Sequence, residues 1–226
     1  LHEPGDFGGA HPHQFAVDPT ATVSAVATES ERQGYFTLEE LRTIFSSRGP
    51  FGYSGRGVRF IPKNSREMLA QSAYTFHLAV FSTGERPSNI LSWDWRDIGE
   101  DTVRIRRPKD RRKERVIPVA RQLREALEEL RELSVRIADD DPVFAHEAGQ
   151  RRTKTWYRKR FAHMMEELEI PAEDPEGNRR RPYSLKHSLI THLIDEGADP
   201  VLVREYVGHS HAHGEGRALT AVQSRY

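Results

Sequence analysis

The stretch "PYSLKHSLITHLIDEGADPVLVREYVGHSH", Pro182 to His211, decides how the chain is read. Leu189, Ile190, Leu193 and Ile194 recur at helical spacing and line one face of a helix. Gly197 ends that helix, Asp199 caps a shorter one with Pro200 in its first turn, and Gly208 stops it. The polar residues need a separate reason. Tyr183, Lys186 and His187 stand at the mouth of the apolar helix, and His209 follows directly after the closing glycine.

Working outward, "TLEE" at Thr37 to Glu40 fits a capping box, and Leu38, Leu41, Ile44 and Phe45 continue at helical spacing. Arg48 to Gly57 reads as a loop. Met68, Leu69, Ser72, Ala73, Phe76, Ala79 and Val80 form a stripe ending near Gly84, and Pro87 suits the first turn of the next helix. At Thr102 the period changes. "TVRIRRPKDRRKERVIPV" has β-rich ends around a charged middle, which predicts a hairpin. Leu123, Ala126, Leu127, Leu130 and Leu133 mark one further helix. Trp156, Phe161, Met164, Met165 and Leu168 mark another, after a short apolar element in "DPVFAHEAGQ". "PAEDPEGNRRRP" is a loop. The fold class expected is mainly α with a small antiparallel β-sheet (α+β), over residues 34–226. Residues 1–33, rich in Gly, Pro, His, Thr and Ser, read as a linker or tail.

The chain has 226 residues and 36% apolar content, enough for one good-sized domain or a domain plus an arm. No apolar run approaches the length needed to span a bilayer. "LHEPGDFGGAHPHQF" has neither a basic leader nor a continuous apolar segment, so it does not read as a signal peptide, and without an initiator Met the chain reads as a fragment or processed form. The absence of cysteine excludes disulfides and thiolate metal sites and fits an intracellular protein. The 34 basic and 34 acidic residues cancel. Their distribution matters more: Arg104–Arg115, Arg151–Arg160 and Asn178–Arg181 are basic runs, whereas "EALEELREL" and "ADDDP" are acidic, solvated faces. Arg outnumbers Lys, and its planar fork suits phosphate.

Four separated segments share one chemical theme. "STGERPSNILSWDWRDI" places Arg86 on a glycine turn before a helix; the hairpin carries Lys109 and Lys113; "YSLKH" carries Tyr183, Lys186 and His187; "VGHSH" carries His209, with Tyr226 beyond it. In this order the segments resemble the catalytic domain of the tyrosine recombinases, the phage-integrase family. "TGERPSNILSWDWRDI" is similar to the family's first box, "KDRRKERVIPV" to its lysine-bearing hairpin, and Pro182–His211 to its second box. The resemblance runs from about Thr37 to Tyr226, and the second box is its most specific part. It implies a helical core-binding domain upstream, of which residues 1–33 would be the connecting linker or tail.

The resemblance also implies the chemistry. A tyrosine hydroxyl attacks a backbone phosphate, giving a covalent 3′-phosphotyrosine and a free 5′ hydroxyl, and a second DNA end reverses the step. A neutral phenol is a poor nucleophile. Cationic donors aimed at the phosphoryl oxygens lower the barrier, bidentate Arg best of all. A Lys can protonate the leaving oxygen. No metal or other cofactor is required. Carried over by motif, Arg86 is the first phosphate-binding Arg, Lys109 the hairpin lysine with Lys113 as the alternative, His209 the Gly-His histidine and Tyr226 the nucleophile. Tyr183 and Lys186 stand where the family has His and Arg. A phenol still donates a hydrogen bond, but Lys keeps the charge and loses the fork. His209 and Tyr226 are 17 residues apart, longer than is usual in the family. The expected partner is double-stranded DNA, met through Arg107, Arg111, Arg112 and Lys113 of the hairpin, Lys154 and Arg158, and Arg179, Arg180 and Arg181. The enzyme would act as a homo-oligomer on paired sites of a mobile element, away from membranes, in the cytoplasm or nucleus and not secreted. The alternative is a recombinase-like DNA-binding domain impaired in cutting.

Plainer readings stand beside these. Arg86 alone suits a solvated turn, the hairpin lysines keep an edge soluble, and His187 packs or caps a helix start. Trp93 and Trp95 read as core. His209, His211 and His213, alternating in a Gly-containing loop without carboxylates at ligand spacing, are a weak zinc signal.

Overall fold

The computed structural model describes residues 33–52, 63–106 and 114–208. The reading of residues 1–33 as linker or tail therefore lies, except for Gln33, outside the described residues.

Helix α2 (Lys63–Thr83) is the axis of the fold, and α4 (Arg121–Leu133), α5 (Lys154–Glu167), α6 (Ser184–Asp195) and the short α3 (Pro87–Ile90) pack on it. Every position from Gln71 to Val80 is buried. A helix enclosed on all sides must satisfy its polar residues internally. Gln71 Nε2 and Thr75 Oγ1 both donate to the carbonyl of Ala126 on α4, at 2.8 and 3.1 Å. Helix α4 supplies the expected stripe of Leu123, Ala126, Leu127 and Leu130, all buried.

Helix α1 (Leu38–Phe45) begins with the expected capping box. Thr37 Oγ1 accepts from Glu40 N at 3.2 Å, and Glu40 Oε2 accepts from Thr37 N at 2.8 Å. The strands β1 (Thr102–Ile105) and β2 (Arg115–Pro118) pair antiparallel, Thr102 opposite Pro118 and Ile105 opposite Arg115. Alternation turns Val103, Ile105 and Ile117 into the core, while Thr102, Arg104 and Val116 face out. Trp93 and Trp95 are core, at 1% and 2% exposure. Between them the Asp94 carboxylate bonds Arg106 at 2.6 Å and also Arg151, and Arg106 reaches Asp97 at 2.6 Å. Burial opposes the charge on Asp94, but these guanidiniums outweigh it and hold its pKa below the usual value.

One detail of α6 differs from the sequence reading. Ile194 is 43% exposed. The buried face is rotated onto the rows Leu185–Leu189–Leu193 and Ser184–Ser188. Two fixed points explain the rotation: Leu185 enters the main core, and Ser188 Oγ accepts from the backbone N–H of Phe36 at 2.8 Å. Helix α7 (Pro200–Tyr206) closes the described chain, with Val203, Tyr206 and Val207 packed on Leu189 and Leu193.

Candidate functional site

Three segments distant in sequence meet at the end of α7. The first is the turn between α2 and α3. Gly84 sits at φ +60°, and a Cβ there would fall 2.5 Å from Val207 Cγ1, so only glycine permits both the turn and the approach. The turn leaves Arg86 exposed at the N-cap position of α3, with Pro87 buried in the first turn.

The second segment is the start of α6. Tyr183 takes the N-cap position, and its ring meets the His187 ring edge-on at 5.0 Å. Lys186 points inward and is 2% exposed. Its Nζ donates to the Val207 carbonyl at 3.1 Å and lies 5.9 Å from the Tyr183 ring centre. The third segment is the last turn of α7 itself, whose carbonyl end carries partial negative charge and favours cations. Lys186 supplies one. Arg115, the first residue of β2, supplies the other, donating to the carbonyls of Glu205, at 3.2 Å, and Tyr206.

Arg115 also pairs with Glu85, whose carboxylate accepts from Asn89 Nδ2 at 2.8 Å and from Arg86 N at 3.2 Å. Glu85 is 1% exposed. Burial pushes its pKa up, but the charge of Arg115 and these hydrogen bonds prevail, so the group titrates below the usual range. Tyr206, the buried phenol nearby, donates to the Ser82 carbonyl at 2.7 Å, and burial, opposed in part by Arg115, pushes its pKa up to about 12. It is a neutral strut.

The fold thus brings the Arg86 turn, Tyr183 and Lys186, and the turn leading to His209 to one place. His209 itself, Tyr226, Lys109, Arg107, Arg111, Arg112 and Lys113 lie outside the described residues, as do His211 and His213. The flanking hairpin strands are described, and both of their inner-end arginines are anchored: Arg106 to Asp94 and Asp97, Arg115 to Glu85. Of the remaining basic residues, Lys154, Arg158, Arg179 and Arg181 are exposed. Arg180, expected among the cations that meet DNA, is instead buried. Its guanidinium bonds Glu40 at 2.7 Å and the carbonyls of Tyr35 and Pro171 at 2.9 and 3.1 Å, and it lies over the Phe36 ring. A cation so enclosed braces the fold and offers no fork to a phosphate. Glu85 and Arg115 were not legible as site residues. No spacing rule pairs them, and the only hint was a carboxylate beside Arg86.

A mainly helical domain with one small hairpin and cations gathered at a helix end has a counterpart among known proteins. The profile of the phage integrase family matches residues 59–214, and the chain belongs to that family. It is 26% identical over 206 residues to the tyrosine recombinase XerC of Corynebacterium glutamicum, covering 84% of this chain and 62% of that protein. With XerD of Halalkalibacterium halodurans it shares 25% over 212 residues, covering 88% and 63%. The chain spans 40% to 63% of the length of the curated relatives it matches. The fold is that of tyrosine recombinases. XerH site-specific recombinase, solved bound to its difH substrate before cleavage, overlays with a TM-score of 0.58 at 20% identity, over 86% of this chain and 51% of that one. The Tn1549 transposon integrase, solved with circular intermediate DNA, gives 0.59 at 16% identity, over 87% and 68%. Among the described residues no helix is long and apolar enough to cross a membrane.

Proposed function

We propose that the domain cuts and rejoins duplex DNA at specific sites through a covalent 3′-phosphotyrosine, as part of an integrase of a mobile element acting as an oligomer on paired sites. The observation that supports this most is the meeting of the Arg86 turn, the Tyr183–Lys186 helix start and the end of α7 around Val207, the turn against its side chain and Lys186 on its carbonyl. In this reading Arg86 grips the scissile phosphate and His209 donates to the same phosphoryl group. The Tyr226 hydroxyl loses its proton to water as its oxygen attacks phosphorus, the bond from phosphorus to the 5′ oxygen breaks, and Lys109 or Lys113 gives that oxygen its proton. The reverse attack by a 5′ hydroxyl reseals the strand, so the phosphodiester energy is conserved. Lys154, Arg158, Arg179 and Arg181 are exposed cations suited to flanking phosphates.

The test is a nicked suicide substrate that traps the adduct. The wild-type chain should become covalently linked to DNA, and Tyr226→Phe should abolish the link. An adduct that survives this substitution, or none from the wild type, overturns the reading.

One observation favours a second reading, a DNA-binding relative that no longer cuts. Lys186 stands where a phosphate-gripping Arg is expected, yet it is buried with its ammonium on the Val207 carbonyl. Salt-dependent DNA binding without an adduct supports this reading, and cleavage gained by Lys186→Arg would trace the loss to that one side chain.

A further inference from the structure

We infer that Arg115 is a positioning residue of the cleavage site, holding the Glu85 carboxylate off the Arg86 guanidinium and fixing the end of α7 from which the chain runs into His209. This rests on the strand-cleavage reading above. Three contacts carry it. Arg115 pairs with the Glu85 carboxylate, which directly precedes Arg86 in the chain. It donates to the carbonyls of Glu205 and Tyr206, the last turn before Gly208. It also begins β2, the strand that returns from the lysine-bearing loop. One planar guanidinium therefore ties together the three segments that bring the phosphate-binding Arg, the hairpin lysine and the histidine. Lys would replace it only in part, because its three donors share one nitrogen, whereas Arg115 uses one guanidinium nitrogen on the two carbonyls and another on the carboxylate.

Glu85 explains why the tie bears on catalysis as well as on folding. A carboxylate adjacent to Arg86 is the strongest local competitor for the guanidinium that must receive a phosphate. Here both of its oxygens are occupied, one by Arg115 and the other by Asn89 and the Arg86 N–H. Without Arg115 the buried charge loses that guanidinium, and the side chain relieves itself by protonation or by turning to the Arg86 side chain.

The experiment uses the full chain and the same nicked substrate with Arg115→Gln, Arg115→Lys, Glu85→Gln and the Glu85→Gln/Arg115→Gln double variant. DNA affinity, the first-order rate of adduct formation at saturating DNA, and amide hydrogen exchange without DNA are measured. Arg115→Gln should slow adduct formation by about 100-fold, the effect of misplacing catalytic groups by about 1 Å, while Kd stays within about threefold. Arg115→Lys should recover only part of the rate. The double variant should cut about tenfold faster than Arg115→Gln, because the uncompensated carboxylate is gone. Should the single variant fail to fold, the double variant, with neither charge, supplies the same comparison against Glu85→Gln. A wild-type rate in Arg115→Gln, a parallel loss of affinity, or a double variant no faster than the single one overturns the inference. If the wild type forms no adduct, the cleavage reading itself fails. The exchange arm then decides the clamp: Gly84 and Gly208 must exchange faster in Arg115→Gln while Ala126 on α4 is unchanged, and equal rates refute it.

Discussion

At the scale of single residues, burial separates cations that look alike in sequence. Arg179, Arg180 and Arg181 are consecutive, yet only Arg180 is enclosed, with its side chain 1% exposed against Glu40. Arg180→Met should cost about 3 kcal/mol, as breaking a buried pair does, and leave the salt dependence of DNA binding unchanged. Lys154→Gln and Arg158→Gln should do the opposite. Stability should stay within about 0.5 kcal/mol, and the slope of log affinity against log salt should shallow by about one per charge. Denaturation and salt titration of the same variants check both. Lys186 is the hybrid case. Lys186→Met leaves the Val207 carbonyl without its donor, a loss of about 1–3 kcal/mol read by urea unfolding. A wild-type midpoint would mean that the carbonyl had found another partner.

At the scale of elements, glycines with the same sign of φ do different jobs. Gly84, at φ +60°, and Gly177, at φ +82°, both close turns, but only Gly84 has a neighbour in the way. Gly177→Ala should cost only the left-handed backbone term, about 1–2 kcal/mol. Gly84→Ala adds overpacking against Val207 and should cost about 3 kcal/mol or more. Equal melting midpoints for the two would show that α7 shifts freely against the α2–α3 turn. The hairpin follows the same logic. Its apolar alternation was readable as Val103, Ile105 and Ile117. The anchoring of its two inner ends was not, because Arg106 and Arg115 reach carboxylates that precede them by 12 and 30 residues.

At the scale of the whole molecule, the enclosed helix α2 sets a pH dependence. His77 is fully buried among Phe51, Phe76 and Phe161, and burial lowers its pKa to about 4, against the hydrogen bond to the Ala73 carbonyl. The unfolded chain, with His near 6.5, then binds more protons than the folded one between those values. Stability should therefore fall by about 3 kcal/mol as pH drops from about 6.5 to 4, and His77→Phe should flatten that window. Glu85 and Asp94, held below their ordinary values, contribute above their unfolded pKa and lose that contribution at lower pH still. A flat stability curve above pH 4 would mean that His77 is solvated. Periodicity, caps and punctuation were enough to recognise the helices, the hairpin and the boxes of the family, since each is encoded within a few residues of itself. That Arg180 is a brace, that Ile194 faces out, that Lys186 caps α7 and that Arg115 joins Glu85 to the approach to His209 all depend on segments far apart in the chain. Burial and charge pairing are properties of what surrounds a side chain, and only packing supplies those surroundings.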